Sequence, residues 1–316
     1  MGMLTPHGGF GVSDKFILVT GGTGFIGSHL IKSLIVKGEN LVILTRPNSD
    51  FSRLEKLDGK FKTIRYNDFL SGKIKFEIEG VIHLATYYQR FHKPSEIPNM
   101  ITTNITIPTQ VIDIAINYGA KFVLNTSTFF RYRLSAVPID EKVEVSPYNF
   151  YAATKVSFEK ILDFYSSESG LKAITLVLFS PYGPNDNPAK FIPSVINNAL
   201  TKTKMSLTDG TQRLDFTFIK DIIQAYECGI TYLRNSAICG HELFNIGSGR
   251  NYSIKEVVSE IERQIDIELS KSWDRKSVDS FEVLADIGKA KDVLGWAPVW
   301  NLTSGIRETI ELFRGE

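Results

Sequence analysis

Short apolar runs alternate with amphipathic stretches along the first half of the chain. The runs are residues 16–19, 41–44, 81–84, 122–124 and 174–178. Runs of this length between polar turns are typical of strands buried on both faces, and the stretches between most of them have helical periodicity. The alternation predicts an α/β fold, a doubly wound parallel sheet of Rossmann type that binds ligands beyond the carboxyl ends of its strands.

The pattern changes after about residue 180. Loops and short strands then separate three helical stretches, at residues 192–200, 219–232 and 254–265. This change predicts a smaller C-terminal α/β substrate lobe, so we divide the chain into a Rossmann domain (15–180) and that lobe (181–316), with a crossing between lobes after residue 210. Residues 1–14 are rich in glycine and lack the apolar core of a signal peptide, which predicts a flexible leader.

Composition narrows the function classes. The 316 residues are 43% hydrophobic and carry a net charge of +1, so the chain can build a large core but has no global basic field for binding nucleic acid. No run of about 18 apolar residues could span a bilayer, so we expect no membrane partner. The two cysteines, Cys228 and Cys239, lack Cys-x-x-Cys spacing, which favours a reduced, cytoplasmic compartment and no metal site.

A glycine-rich turn lies between the first predicted strand and the first predicted helix. Glycines at these spacings let the chain turn tightly, let a diphosphate approach the backbone and let the helix pack on the strand, while the free amides at the helix start face an anion. The turn therefore predicts a dinucleotide site. Its residues are Gly21, Thr23, Gly24, Phe25, Ile26 and Gly27.

The residues after the second predicted strand indicate which dinucleotide binds. An NAD site usually has an acidic residue there, against the ribose hydroxyls. This chain instead has Arg46, Asn48 and Ser49, and a guanidinium with small polar groups can bind a 2′-phosphate through charge-assisted hydrogen bonds. The sequence therefore favours NADP, with NAD as the alternative.

Tyr151 and Lys155 are the strongest candidates for chemistry. Four-residue spacing on a helix places the phenol and the ammonium on one face. The positive charge, helped by an oxidised nicotinamide, is expected to lower the pKa of Tyr151 and suit it to exchange a proton with a carbonyl or alcohol. The hydroxyls of Thr126 and Ser127, just beyond a predicted strand, could hold the substrate oxygen.

Together these motifs resemble the extended short-chain dehydrogenase/reductases, the family of NAD(P)-dependent nucleotide-sugar epimerases, dehydratases and 4-ketoreductases. The resemblance runs from Lys15 to the C-terminal region. Besides the motifs above, it rests on Asp68-Phe69, His83-Leu84-Ala85, Asn104, Tyr182-Gly183-Pro184, Asp209-Gly210-Thr211-Gln212, Asn245-Ile246-Gly247-Ser248-Gly249, Asp286 and Leu294-Gly295-Trp296.

The resemblance implies roles for these positions. Asp68 and Phe69 would bind the adenine, Leu84 and Ala85 would line the diphosphate path, and Thr86 and Asn104 would also face the cofactor. Ser127 would hold the substrate oxygen, Tyr151 would be the acid/base, and Lys155 would anchor the ribose. The substrate set would be Tyr87, Thr128, Ser180, Tyr182, Lys190 and Phe191, with Arg213 and Arg275 as phosphate ligands.

Two of the family positions have a structural alternative. His83 stands between apolar residues at a strand end, where a core histidine is the expected interpretation, and Asn104 can equally bond a neighbouring backbone group. The family also implies a homodimer, joined through a four-helix bundle by the helices around residues 104–117 and 151–166.

Departures from the family pattern reduce the number of family reactions that fit this sequence. Sugar 4,6-dehydratases have an acidic pair after the strand-end serine or threonine, whereas this chain has Thr128 and Phe129, so dehydration is disfavoured. Leu214 occupies the place of the usual arginine before Asp215, and Ser180 replaces an asparagine common in relatives.

The sequence thus predicts an NADPH-dependent reductase of a nucleotide-diphosphate 4-keto-6-deoxysugar, acting in surface polysaccharide synthesis. The aromatic segment 86–92 would cover the sugar. The segments around residues 84–91 and 124–131 look more like deoxysugar 4-reductases, such as those making CDP-abequose-type sugars, than like hexose epimerases. The alternatives are a 4-epimerase with tightly bound NAD and, from another class, a non-catalytic NADP-sensing or scaffold protein.

Overall fold

A seven-stranded parallel sheet forms the centre of the molecule. The computed structural model describes residues 15–134, 137–275 and 282–314; the predicted leader, 1–14, lies outside them. In spatial order the strands are β11 (His241–Ile246), β6 (Lys172–Leu178), β5 (Phe122–Thr128), β4 (Glu77–His83), β1 (Lys15–Thr20), β2 (Leu41–Thr45) and β3 (Lys62–Arg65). The six strands of the first half have the doubly wound order 3-2-1-4-5-6, which confirms the predicted fold class.

Helices cover both faces of this sheet. Those of the first half are α1 (Phe25–Val36), α2 (Tyr66–Leu70), α3 (Ile97–Ile101), α4 (Ile107–Asn117) and α5 (Phe150–Ser169), with a π-helical turn at Thr102–Thr106 between α3 and α4. Alternate residues of each strand enter different cores: Ile17 and Val19 pack toward α1, whereas Phe16 and Leu18 pack toward α4 and α5. Burial on both faces explains why the strands are continuous apolar runs in the sequence.

The second half adds smaller elements. They are β7 (Pro181–Tyr182), α6 (Phe191–Leu200), β8 (Met205–Thr208), β9 (Arg213–Asp215), β10 (Thr217–Phe218), α7 (Ile219–Asn235), β12 (Asn251–Ser253), α8 (Ile254–Ile265), β13 (Lys271–Arg275), α9 (Gly288–Leu294) and α10 (Leu302–Arg314). Three two-stranded sheets pair β7 with β10, β9 with β12 and β8 with β13. No helix of the described ranges is long and apolar enough to cross a membrane.

Part of the chain after residue 210 packs on the main sheet. Helix α7 packs against α1 and the sheet, and β11 extends the sheet beside β6. The region 181–316 is therefore shared between the sheet and the smaller elements, because an edge strand and a helix from this region complete the apolar faces that the first 180 residues leave open.

Candidate functional site

The glycine turn between β1 and α1 forms a tight backbone cradle. Gly21 has a φ of 71°, and a Cβ on it would lie 2.6 Å from the Ala85 amide nitrogen. A Cβ on Gly27 would overlap the Gly21 carbonyl oxygen. Gly24 precedes α1 without a side-chain cap, so the first amides of the helix have no side-chain acceptor there. This cradle has the shape and polarity that a dinucleotide diphosphate requires.

The end of β4 lies against this cradle. Thr20 Oγ1 is 2.7 Å from His83 Nδ1, and it accepts hydrogen bonds of 3.2 Å from the Leu84 and Ala85 amides. These bonds hold Leu84 and Ala85 beside Gly21, on the predicted diphosphate path. His83 is fully buried, and burial holds its pKa well below the usual range, as expected of a core histidine.

The predicted adenosine end has three exposed cations, Arg46, Arg65 and Lys73. Arg46 lies exposed just after β2, and its amide donates to Ser49 Oγ at 2.9 Å, which closes the turn that contains Asn48. Asp68 pairs with Lys73 at 3.4 Å. The Phe69 ring is entirely buried in the core, so its side chain does not form the predicted adenine contact; only its backbone could.

Asn104 lies in the π-helical turn and is fully buried. Its amide group donates to Thr154 Oγ1 at 2.9 Å, and its Oδ1 accepts from the Tyr87 amide at 2.7 Å and the Thr86 hydroxyl at 3.2 Å. Asn104 therefore fastens the segment after β4 to α5. All its hydrogen bonds are with protein groups. Asn104 therefore has a structural role, the alternative that the sequence offers, rather than a direct contact with the cofactor.

Tyr151 and Lys155 lie together in the first turns of α5. Asn149 caps this helix by accepting a 2.9 Å hydrogen bond from the Ala152 amide. Lys155 is 1% exposed, and burial lowers its pKa to about 8. Burial raises the pKa of Tyr151 to about 12, and a side-chain hydrogen bond between Tyr151 and Thr86 opposes this rise. The shift is therefore opposite to the predicted lowering by Lys155, because loss of water around the phenol is the largest effect on its pKa.

The strand-end hydroxyls have separate partners. Thr126 Oγ1 lies 2.5 Å from the phenol of Tyr226 on α7. Ser127 Oγ donates at 2.5 Å to Glu159 on α5, and Arg131 donates to the same carboxylate at 2.9 Å. Successive side chains of a strand point to opposite faces, so the two hydroxyls lie on different sides of β5.

An aromatic segment follows β4 and covers Tyr151. The Tyr88 ring contacts the Tyr151 ring edge-on, with centroids 4.9 Å apart, and the half-buried Tyr87 is held by its bonds to Asn104. Thr128, at the other side of the site, is buried and caps the turn at Phe130. The segment therefore lies where the sequence predicts a contact with one face of the sugar.

Of the predicted substrate residues after β6, Tyr182 does not face the site. Its ring is 3% exposed and packs against Phe216 and Phe218. Ser180, half-buried with a φ of 26°, makes the bend before it. The Tyr182 side chain is thus a core group, because the turn at Gly183 directs the ring inward.

Lys190 and Phe191 begin α6. Lys190 pairs with the buried Asp186 at 3.0 Å and lies 5.4 Å from the centre of the Phe25 ring. This places its ammonium beside the start of α1 and the cofactor cradle. Phe191 is half-buried against Phe216.

The two predicted phosphate ligands differ in environment. The Arg213 guanidinium donates to Asn251 Oδ1 at 3.1 Å and pairs with Glu256 at 3.0 Å. Arg275 is exposed at the end of β13. Arg213 must therefore share its charge with Glu256 to bind phosphate, whereas Arg275 reaches solvent directly.

Three residues beside the site were not predicted from the sequence: Arg131, Glu159 and Tyr226. Tyr151, Lys155 and Glu159 follow one another at four-residue intervals on α5. Helical periodicity could therefore have predicted that Glu159 lies on the same helix face as the other two. Tyr226 comes from α7, a hundred residues after Thr126. No local spacing points to that contact.

The model of the NAD dependent epimerase/dehydratase family matches residues 17–247 of this chain. The chain belongs to this family. Since the cradle, the Tyr151–Lys155 pair and the strand-end hydroxyls all lie in the matched range, the resemblance that the sequence motifs carry is confirmed.

Individual relatives cover nearly the whole chain. CDP-abequose synthase of Salmonella typhimurium is 26% identical over 315 residues, covering 94% of this chain and 98% of the relative. The dTDP-4-dehydro-6-deoxyglucose reductase of Escherichia coli is 26% identical over 324 residues, covering 94% and 97%. UDP-glucuronic acid 4-epimerase from Bacillus cereus, solved with UDP-glucuronic acid and NAD, has a TM-score of 0.84 at 25% identity, covering 95% and 99%. The protein is therefore a member of an NAD-dependent enzyme family, and each of these relatives is named for a nucleotide sugar.

Proposed function

We propose that this enzyme reduces the C4 ketone of a nucleotide-diphosphate 4-keto-6-deoxysugar, with NADPH, in surface polysaccharide synthesis. The observation that carries the proposal is the exposed Arg46 at the end of β2, where the turn through Asn48 and Ser49 presents polar groups beside a cation. Such a site suits a 2′-phosphate. The carboxylate that follows the turn, Asp50, accepts hydrogen bonds from the Ser52 amide and hydroxyl. A cofactor that is consumed and replaced each cycle fits a reductase better than an epimerase.

The residues around Tyr151 supply what the reduction needs. NADPH, when bound, supplies the hydride. Tyr151 remains protonated near neutral pH, because burial raises its pKa to about 12, so it can give a proton to the oxygen that develops negative charge at C4. Thr126 at the end of β5 holds that oxygen, whereas Ser127 donates its proton to Glu159. Lys155 anchors the cofactor ribose, and its charge favours the tyrosinate left behind.

The positions after Ser127 argue against dehydration. Thr128 is buried and caps a turn, and Phe129 packs in a hydrophobic cluster with Phe179. Neither can abstract the C5 proton or protonate a leaving hydroxyl. The nucleotide would lie toward Arg213 and Arg275, whose cationic side chains suit a diphosphate.

We also propose a homodimer through α4 and α5. Phe164 on α5 is 58% exposed and Ile101 on the neighbouring α3 is 40% exposed. Large apolar side chains on adjacent helices favour burial against a second copy, and a pair of helices from each copy makes a four-helix bundle.

The deciding assay follows absorbance of the reduced nicotinamide. Purified enzyme is mixed with NADPH or NADH and each of the CDP-, dTDP-, GDP- and UDP-linked 4-keto-6-deoxysugars. We expect stoichiometric NADPH oxidation with one nucleotide. The second candidate is a 4-epimerase, favoured by the similarity to the Bacillus cereus enzyme with NAD; absence of net oxidation, with NAD copurifying and a UDP-hexose inverted at C4, would establish it instead.

A further inference from the structure

The proton of the Ser127 hydroxyl is already used inside the protein. Ser127 is 3% exposed, and it donates at 2.5 Å to Glu159 Oε1. The other oxygen of Glu159 accepts from Arg131 at 2.9 Å, and this ion pair is buried. A carboxylate held by a guanidinium can only accept, so the single Ser127 proton points toward it. In this arrangement Ser127 can accept a hydrogen bond from substrate but not donate one.

The neighbouring Thr126 has the opposite arrangement. Its Oγ1 lies 2.5 Å from the hydroxyl of Tyr226, which is completely buried on α7. A phenol is a much stronger acid than an alcohol, so Tyr226 is the better donor of the two. Burial raises the pKa of Tyr226 above its ordinary value, which keeps the phenol protonated. The proton of Thr126 is then left for another acceptor.

The exposure of the strand-end side chains shows which of them a ligand can reach. Of the four strand-end residues, Asn125, Ser127 and Thr128 are buried, whereas Thr126 is half-buried. Thr126 therefore keeps exposed surface at the carboxyl end of β5, where a ligand can reach it.

We infer that Tyr226 is a positioning residue, which donates its phenolic hydrogen bond to Thr126 and so directs the Thr126 proton to the substrate C4 oxygen. This inference rests on the proposed function, because it needs a C4 oxygen that gains negative charge. In a chain of two hydroxyls each bond polarises the next, so Thr126 is a stronger donor than an isolated threonine. Ser127, buried on the other side of β5 with its proton on Glu159, does not donate to that oxygen.

Variants separate the two hydroxyls. Thr126→Val keeps the shape and removes the donor, and we expect kcat to fall by about 100- to 1000-fold with little change in KM, as for loss of one oxyanion donor. Thr126→Ser should restore most of that loss. Ser127→Ala should reduce kcat less than Thr126→Val does. A larger loss for Ser127→Ala would overturn the assignment.

Tyr226→Phe tests the positioning role. We expect kcat to fall about two- to tenfold, the size of one net hydrogen bond. Tyr232→Phe is the matched control, since Tyr232 also lies on α7 and donates to Glu242 at 3.2 Å; it should leave kcat unchanged. In a Thr126→Val background Tyr226→Phe should have no further effect on kcat. The role would be refuted if Tyr226→Phe lowered kcat equally in the wild-type and Thr126→Val backgrounds. It would also be refuted if Tyr226→Phe and Tyr232→Phe lowered kcat equally.

The same variants distinguish failure of the inference from failure of the proposed function. If wild-type enzyme oxidises no NADPH with any 4-keto sugar, the reductase proposal fails, and the variants are then compared in C4 epimerisation. That reaction also converts a C4 hydroxyl and a C4 carbonyl into each other. The predicted ranking of Thr126→Val, Ser127→Ala and Tyr226→Phe must appear in whichever reaction is found.

Discussion

At the residue scale, burial controls the candidate catalytic groups. Tyr151 and Lys155 are both removed from water, so the phenol holds its proton more tightly while the ammonium releases its proton more easily. A protonated phenol beside a cation is a suitable proton donor at neutral pH. The direction of each pKa shift leads to measurable predictions.

Replacement of Tyr151 by phenylalanine removes the proposed proton donor without changing the ring. We expect turnover to fall by about 100- to 10,000-fold, while NADPH binding changes little. Steady-state kinetics and a fluorescence titration with NADPH measure the two effects. Tyr118, just after the end of α4, donates a 3.0 Å hydrogen bond to the Gly72 carbonyl, and Tyr118→Phe is the control. Unchanged turnover in Tyr151→Phe would exclude this role.

Lys155 predicts an alkaline limb in the pH profile. Its pKa in the folded protein is about 8, below the ordinary value of 10.5, so its charge is present below pH 8 and is lost as the pH rises through that value. We expect kcat/KM to decline with a midpoint near pH 8. In Lys155→Arg the charge persists, so whatever activity remains should lack this limb. An identical limb in both proteins would assign it to another group.

Arg46 predicts cofactor preference. Arg46→Ala should weaken NADPH binding by about tenfold or more, the loss of a charge-assisted contact, and weaken NADH binding much less. Dissociation constants for both cofactors provide the comparison. Arg307→Ala, an exposed arginine on α10, is the control. Equal weakening of both cofactors would remove the 2′-phosphate contact from the proposal.

At the element scale, the glycine turn joins β1, α1 and the end of β4. Gly21 combines a positive φ with close approach to Ala85, whereas Gly59 has a φ of 78° and open space around it. Alanine substitutions at the two positions therefore distinguish the cost of the backbone conformation from the cost of the steric contact.

Gly59→Ala should lower the free energy of unfolding by about 1 kcal/mol, the cost of a left-handed backbone for alanine. Gly21→Ala should lower it by about 3 kcal/mol, because the added methyl group also forces Ala85 and the end of β4 to move. Chemical denaturation measures both. Equal losses would show that the close approach of β4 to the turn contributes nothing.

At the scale of the whole molecule, distant segments of the second half are joined at Asp215. Its buried carboxylate accepts hydrogen bonds from the amides of Ser248, Gly249 and Ala285, at 2.7 to 3.1 Å. These bonds connect β9 to the loop after β11 and to the segment before α9. Strand β9 and the segment before α9 are thereby fixed to β11 at the edge of the main sheet.

The proposed dimer is also a property of the whole molecule. Phe164→Glu places a charge on the exposed face of α5, and burying that charge in a bundle is costly. We expect the variant to sediment as a monomer while the wild-type protein sediments as a dimer. Phe91→Glu, a change at another exposed aromatic residue, should leave the assembly intact. A monomeric wild-type protein would contradict the proposal.

The sequence by itself determined the sheet, the glycine cradle and the Tyr151–Lys155 pair, because each depends on local periodicity or on spacing along one element. The apolar runs had to be buried strands, and a four-residue spacing had to place two side chains on one helix face. The family match confirms the class of enzyme that these motifs indicated.

Only the tertiary structure decided which polar groups meet. It brought Tyr226 of α7 to Thr126 and Glu159 of α5 to Ser127, and it buried the rings of Phe69 and Tyr182. Such contacts join residues tens to a hundred positions apart, and the direction of each side chain depends on packing that no local pattern encodes. The pKa of Tyr151 was mispredicted for the same reason, since desolvation is a property of the folded interior.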